Sequence, residues 1–291
     1  MEVLKPPADN LRRAVVFAVA GEGLLTLMDA CIKSLTPRYP TFEIAFMRFA
    51  MGSVFASIAF ALQRPAWPSR DAIRYNAVRS VLIVSTACSF FFALSKLEMA
   101  EAMALSFISP LFVAFFGVMM LGERFDARIG MALAAGFAGM LVIVSAKAGN
   151  SAFTFDAWSG AIAVLVSAVC YALVVVMLRA RAKVDPLPTI VLIQNIGPAL
   201  LLAVPAMWVW TAPSMPDLLL FAGVGLLGVC GHTLIAHAFA RSEAARLAPV
   251  HYVILVWGIL FGYMFFREIP GLTTLAGALL ILCATWLTRQ R

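Results

Sequence analysis

Charge is what this chain has least of. Asp, Glu, Lys and Arg make up 13% of its 291 residues, about half the usual share. Hydrophobic residues reach 63%, against about 45–50% in soluble domains. A water-soluble fold has no means of hiding that much apolar side chain, so lipid is the natural solvent. The five cysteines (Cys31, Cys88, Cys170, Cys230 and Cys283) are odd in number and form no CxxC pair. Each lies in or at the edge of an apolar run, where it reads as a small apolar residue. Only three histidines are present. His232 and His237 are five apart, about 140° around a helix, and do not share a face. No metal site and no cofactor is expected. No GxxxxGK[ST], HExxH or GxSxG run occurs, which argues against a pump driven by its own ATP hydrolysis and against the hydrolases those runs mark. The net charge of +7 does not point to nucleic acid, because the basic residues fall between apolar runs.

What the chain does have is ten such runs: 14–33, 41–62, 72–96, 101–121, 128–146, 156–180, 188–210, 216–239, 246–266 and 271–288. Each is long enough to cross a bilayer, and in lipid the backbone must satisfy its own polar groups, so the runs predict helices. Prolines punctuate them at Pro37 and Pro40, Pro65 and Pro68, Pro186 and Pro188, and Pro213 and Pro216. With the N-terminus cytoplasmic, fifteen of the 22 basic residues fall on inner segments, five on outer ones, and Arg48 and Arg79 lie within spans. That bias places both termini inside. The expected class is an all-α integral membrane protein.

A shift of 145 residues aligns Ala93–Glu123 on Ala238–Glu268 without gaps, with Glu98 on Glu243 and Glu123 on Glu268. Acids are scarce here, so those two pairs carry most of the weight. Two halves, 1–147 and 148–291, would each hold five spans. An odd number makes the halves face opposite ways, and inverted repeats mark secondary transporters that work by alternating access.

Four ionised residues fall deep within the first three spans. At 1.5 Å per residue, Glu22 lies roughly 12 Å and Asp29 roughly 22 Å from the inner face, Arg48 roughly 20 Å and Arg79 roughly 10 Å. Depth therefore matches Asp29 with Arg48 and Glu22 with Arg79, unless Arg79 snorkels to the headgroups. Buried charge in a membrane marks a functional site by default, so these four are candidates for substrate binding or coupling. Tyr171, His251, Tyr252 and Trp257 are candidate cavity-lining residues. The glycines of the eighth span, Gly223, Gly225, Gly228 and Gly231, read either as a cavity wall or as tight helix packing.

The stretch Pro40-Thr41-Phe42-Glu43-Ile44-Ala45-Phe46-Met47-Arg48-Phe49 resembles the second span of the EamA type of the drug/metabolite transporter superfamily. Phe107-Ile108-Ser109-Pro110-Leu111 and Leu121-Gly122-Glu123-Arg124 resemble its fourth span, while the second-half echo Phe266-Arg267-Glu268 lacks the glycine. Within that superfamily the likeness is to bacterial aromatic amino acid exporters. It implies a multi-pass protein of the bacterial inner membrane that carries a small, amino-acid-like substrate. It also implies a cavity lined by the first, third, fourth, sixth, eighth and ninth spans. A carrier of another metabolite class, a channel and a membrane-embedded enzyme stand as alternatives. An enzyme would need reactive groups clustered at one depth, and none is evident. Reporter fusions at Lys147 and Arg291 should score outside and inside respectively; the reverse pattern would overturn the topology.

Overall fold

A computed structural model describes residues 8–65, 67–121, 155–181, 185–241 and 253–272, with isolated positions 138, 275, 276 and 279. The described residues form nine helices: α1 (Ala8–Leu35), α2 (Thr41–Gln63), α3 (Arg70–Lys96), α4 (Met99–Ser106), α5 (Ser109–Leu121), α6 (Phe155–Arg181), α7 (Leu187–Trp208), α8 (Met215–Arg241) and α9 (Val253–Phe266). Among them are seven spans long and apolar enough to cross a membrane, one of which runs from α4 into α5, and α9 adds a shorter apolar helix. The protein is an all-helical, multi-pass membrane protein. Apart from those isolated positions and residues 271–272, the expected fifth and tenth spans lie outside the described residues, as do Glu123 and Glu243.

The helix ends follow their local sequence. Ser69 caps α3 by accepting from the Ala72 amide (3.1 Å). Arg64 ends α2 in the left-handed region (φ 46°) just before Pro65. The expected continuous span 101–121 is instead two helices broken at Phe107–Ile108. Pro110 has no amide to offer the Ser106 carbonyl four residues back. The Ser109 hydroxyl donates to that carbonyl instead (2.7 Å), and the Phe107 and Ile108 amides turn to carbonyls three residues back. The break is thus satisfied within the chain, as hydrocarbon demands.

Packing between the halves is reciprocal. α1 packs mainly on α8 and α3 on α6; α2 meets α8 while α3 meets α7; α2 and α7 pack on each other. The exchange keeps the 145-residue register of the sequence repeat. A Cβ on Gly225 would lie 2.7 Å from the Gly52 amide nitrogen. The equivalent positions 145 residues away are Ser80 and Gly197, and a Cβ on Gly197 would strike the Ser80 side chain. Likewise Gly21 and Gly231 set the crossing of α1 and α8, with the Gly231 carbonyl 3.1 Å from a Cβ on Gly21. One residue from the equivalent place, the Ser167 hydroxyl donates to the Thr86 carbonyl (2.9 Å) at the crossing of α3 and α6.

The glycines of α8 are therefore chiefly packing residues. Gly225 faces Met51 and Gly52, Gly228 faces Arg48 and Met28, Gly231 faces Leu25 and Gly21, and only Gly223 has open space. Gly225→Ala should lower stability by about 1–3 kcal/mol, because its methyl meets the α2 backbone, whereas Gly223→Ala should leave the thermal midpoint in detergent unchanged. Equal midpoints for the two variants would contradict this packing.

Candidate functional site

The deep charges converge between α1, α2, α3, α7 and α8. Arg48 on α2 is 4% exposed and Asp29 on α1 is 7% exposed. Their charges act on one another, yet among the described residues they form no direct ion pair. Arg48 Nη1 donates to Asn195 Oδ1 (3.0 Å), and Asn195 is itself fixed by donating from Nδ2 to the Val191 carbonyl (2.8 Å). The guanidinium carbon lies 4.1 Å from the centre of the Phe49 ring. Three glycines make this socket. Gly52 leaves room for the Asn195 amide, Gly225 lets α8 approach α2, and Gly228 leaves room beside Arg48 Nη2, 3.0 Å from where its Cβ would be.

Arg79 on α3 is buried within the bundle rather than snorkelling to the surface. The expected match with Glu22 is not the arrangement found. Arg79 donates from Nε to the Val174 carbonyl (3.3 Å), from Nη1 to Asn76 Oδ1 (3.3 Å) and from Nη2 to Gln194 Oε1 (3.4 Å). Depth alone cannot foresee this, because α3 turns the side chain toward α6 and α7. Glu22 is buried on α1 and its charge acts on Asp29. The adjacent amides Gln194 and Asn195 thus hold one arginine each. The sequence reading did not single out those amides, since a neutral polar residue leaves little trace in hydropathy.

The two halves differ at this place. The positions 145 residues beyond Glu22, Asp29, Arg48 and Arg79 are Ser167, Val174, Ile193 and Val224. At these four positions the second half carries no ionisable side chain.

Of the other candidates, Trp257 on α9 lies against α1, with its Cε2 3.0 Å from a Cβ on Gly23. Its ring stacks on Phe261 (centroids 5.6 Å apart), and its buried Nε1 has no hydrogen-bond partner among the described residues. Tyr171 is exposed on α6. His251 and Tyr252 lie outside the described residues.

Among the described residues three ion pairs join the halves, all at the end of the bundle that carries Lys33. Lys33 Nζ pairs with Glu268 (2.8 Å) and donates to the Leu97 carbonyl (2.5 Å). The other Glu268 oxygen accepts from the Met99 amide (2.8 Å) at the start of α4. Arg38 pairs with Asp217 (2.6 Å), which also accepts from Tyr39 and Ser214 (2.8 Å each). Lys96 pairs with Asp156 (2.8 Å) at an exposed position where such a bridge contributes little. Glu268 is aimed by Arg267, which takes the left-handed conformation (φ 58°) at the end of α9.

The profile of the EamA-like transporter family matches residues 12–145 and again 158–290. The chain belongs to the EamA-like transporter family. It is a secondary transporter of small metabolites, not an enzyme, and its family domain is duplicated. Among its curated relatives, a pseudopaline exporter of Pseudomonas aeruginosa is 28% identical over 281 residues, covering 95% of each chain. An S-adenosylmethionine uptake transporter of Rickettsia prowazekii is 24% identical over 262 residues, covering 89% of this chain and 86% of the relative. One solved crystal structure superposes with a TM-score of 0.67 at 21% identity, covering 94% of this chain and 97% of the other, which is a likeness of fold. Within this EamA-like chain, Arg267 stands where the first half has Gly122. A glycine adopts the left-handed conformation without the strain of a Cβ. Arg267→Gly should therefore stabilise the protein by about 1 kcal/mol, read as a raised thermal midpoint in detergent; a lowered midpoint would show that the arginine side chain matters more than its backbone strain.

Proposed function

We propose that this transporter exports neutral, often aromatic, amino acids or similar small metabolites across the bacterial inner membrane by alternating access. The observation that carries the reading is the buried group of charges around Asp29 and Arg48, between helices of both halves, with no ionisable side chain at the positions 145 residues on. A charge held in hydrocarbon costs stability, and a binding role for the substrate's own charged groups accounts for that cost. Glu22, Asp29, Arg48 and Arg79 form the polar part of the site, with Trp257 and Tyr171, and by sequence His251 and Tyr252, as apolar wall. The reciprocal packing supports an internal duplication, and the sequence repeat and the bias of basic residues support two inverted five-helix repeats, 1–147 and 148–291, with both termini cytoplasmic. In that orientation the end carrying Lys33 faces outward, and the three inter-half ion pairs found among the described residues lie at the outer mouth.

The relatives' names speak for small metabolites moved in either direction: one exports pseudopaline, the other takes up S-adenosylmethionine. The amino-acid class and the outward direction rest on the resemblance of the motifs and on the charged site. Purified protein in liposomes should show saturable counterflow for at least one member of a panel of labelled amino acids, led by L-phenylalanine and L-tryptophan. Counterflow of no amino acid overturns the substrate class, and flux without saturation overturns the carrier mechanism.

A further inference from the structure

We propose that Lys33 and Glu268 form a latch that holds the outer mouth shut by gripping the junction of α3 and α4, and that this grip opens in every transport cycle. The proposal rests on the carrier reading above and names the device that closes one side of it. The units that move are set by packing, not by chain order. α1 packs on α8 and α9, while α6 packs on α3, α4 and α5. The 145-residue shift carries α1 onto α6 and α3 onto α8, so these are two equivalent groups, each drawn from both halves. Of the three ion pairs that join the halves, two fasten helices within a group. Arg38, just after α1, holds Asp217 on α8, and Lys96 on α3 holds Asp156 on α6. The third reaches across. Lys33 on α1 and Glu268 after α9 pair with each other, and each also bonds the other group: Lys33 Nζ donates to the Leu97 carbonyl (2.5 Å), and Glu268 Oε2 accepts from the Met99 amide (2.8 Å).

The chemistry of the grip is matched on both sides. Leu97 caps the end of α3 and Met99 opens α4. The junction therefore presents a helix-end carbonyl, where the dipole is negative, beside a helix-start amide, where it is positive. An ammonium meets the first and a carboxylate the second, and such charge-assisted bonds are strong. The carboxylate is held ready by its own backbone. The Arg267 amide donates to the Tyr263 carbonyl and the Glu268 amide to the Gly262 carbonyl, which locks the turn after α9. Gly262 also leaves room for the acid, since a Cβ there would lie 3.2 Å from Glu268 Oε2. Beneath the polar grip lies a dry contact between the same groups. Met99 and Met103 of α4 are fully buried and pack with Ala30 of α1, Phe261 of α9 and Phe266. Methionine is flexible enough to separate and repack. The grip also releases without stranding a charge. When α3 and α4 move away, Lys33 and Glu268 keep each other as partners, and the freed carbonyl and amide take water. A bridge that left a lone buried charge would resist opening far more.

The test is the reach of a membrane-impermeant maleimide to a cysteine placed under the latch. The full chain carries Met103→Cys with its five native cysteines changed to alanine, and the reagent is added to right-side-out or to inside-out membrane vesicles. Lys33→Met and Glu268→Ala should each speed labelling from the outer face about 10-fold or more, the scale of losing a charged hydrogen bond, and leave labelling from the inner face unchanged. Glu268→Asp, one carbon shorter, should fall between parent and Glu268→Ala. Asp156→Asn breaks a bridge within one group and should change neither rate. Exchanging the pair, Lys33→Glu with Glu268→Lys, restores the ion pair but puts a carboxylate against the Leu97 carbonyl and an ammonium against the Met99 amide, so labelling should stay fast. Parent-like rates in both single variants overturn the latch. A rise from both faces alike, with a lowered thermal midpoint, makes the pair a static brace and also overturns it. Slow labelling in the exchanged pair overturns the grip on the helix junction, and a rise from the inner face alone overturns the outer placement. The labelling needs no substrate, so it is judged apart from counterflow: a latch that behaves as stated while no amino acid is carried leaves only the substrate class overturned.

Discussion

A guanidinium in hydrocarbon must find its partners inside the protein, and the arrangement around Arg48 follows from that constraint. An arginine at mid-membrane costs about 2.5–3.5 kcal/mol or more on insertion. The bundle meets this with an amide from α7, an aromatic face from α2 itself and a carboxylate charge from α1. None of these could converge if α2 and α8 stood at an ordinary separation. Gly52, Gly225 and Gly228 bring the helices together, and the same glycines give the arginine its socket. Packing and charge are thus one design at this point.

The duplicated architecture then separates what the fold needs from what the site needs. Gly52 against Gly225, and Gly197 against Ser80, are one crossing used twice. Helix ends are tied in a related way: Glu268 reaches from the end of α9 to Lys33 on α1 and to the first amide of α4. By contrast, the four deep ionised side chains, Glu22, Asp29, Arg48 and Arg79, have equivalents that are Ser, Val or Ile. The close helix crossings are shared between the halves, and these four charges are not.

Much of this was legible from residues alone. Long apolar runs in lipid have one structural solution, so the spans that the structure describes could be placed within a few residues, and the rise of a helix matched Asp29 with Arg48. The same rule failed for Arg79, because it gives depth but not direction around the axis, and α3 aims that side chain at Val174 and Gln194. Proline marked the fourth span, but that Pro110 would split it into α4 and α5 depended on a serine hydroxyl replacing the missing amide. Asn195 and Gln194 left no trace in hydropathy and matter only through what they touch. The absent glycine at Arg267 did show in sequence, and its consequence is a left-handed arginine that orients the Glu268 carboxylate.

The central claim is that the deep charges exist for the substrate. The most direct measurement is a structure of the protein with a transported amino acid bound. The account predicts the ligand within reach of the group formed by Glu22, Asp29, Arg48 and Arg79, with the Arg48–Asn195 bond kept. A ligand held elsewhere, out of reach of all four, would contradict it.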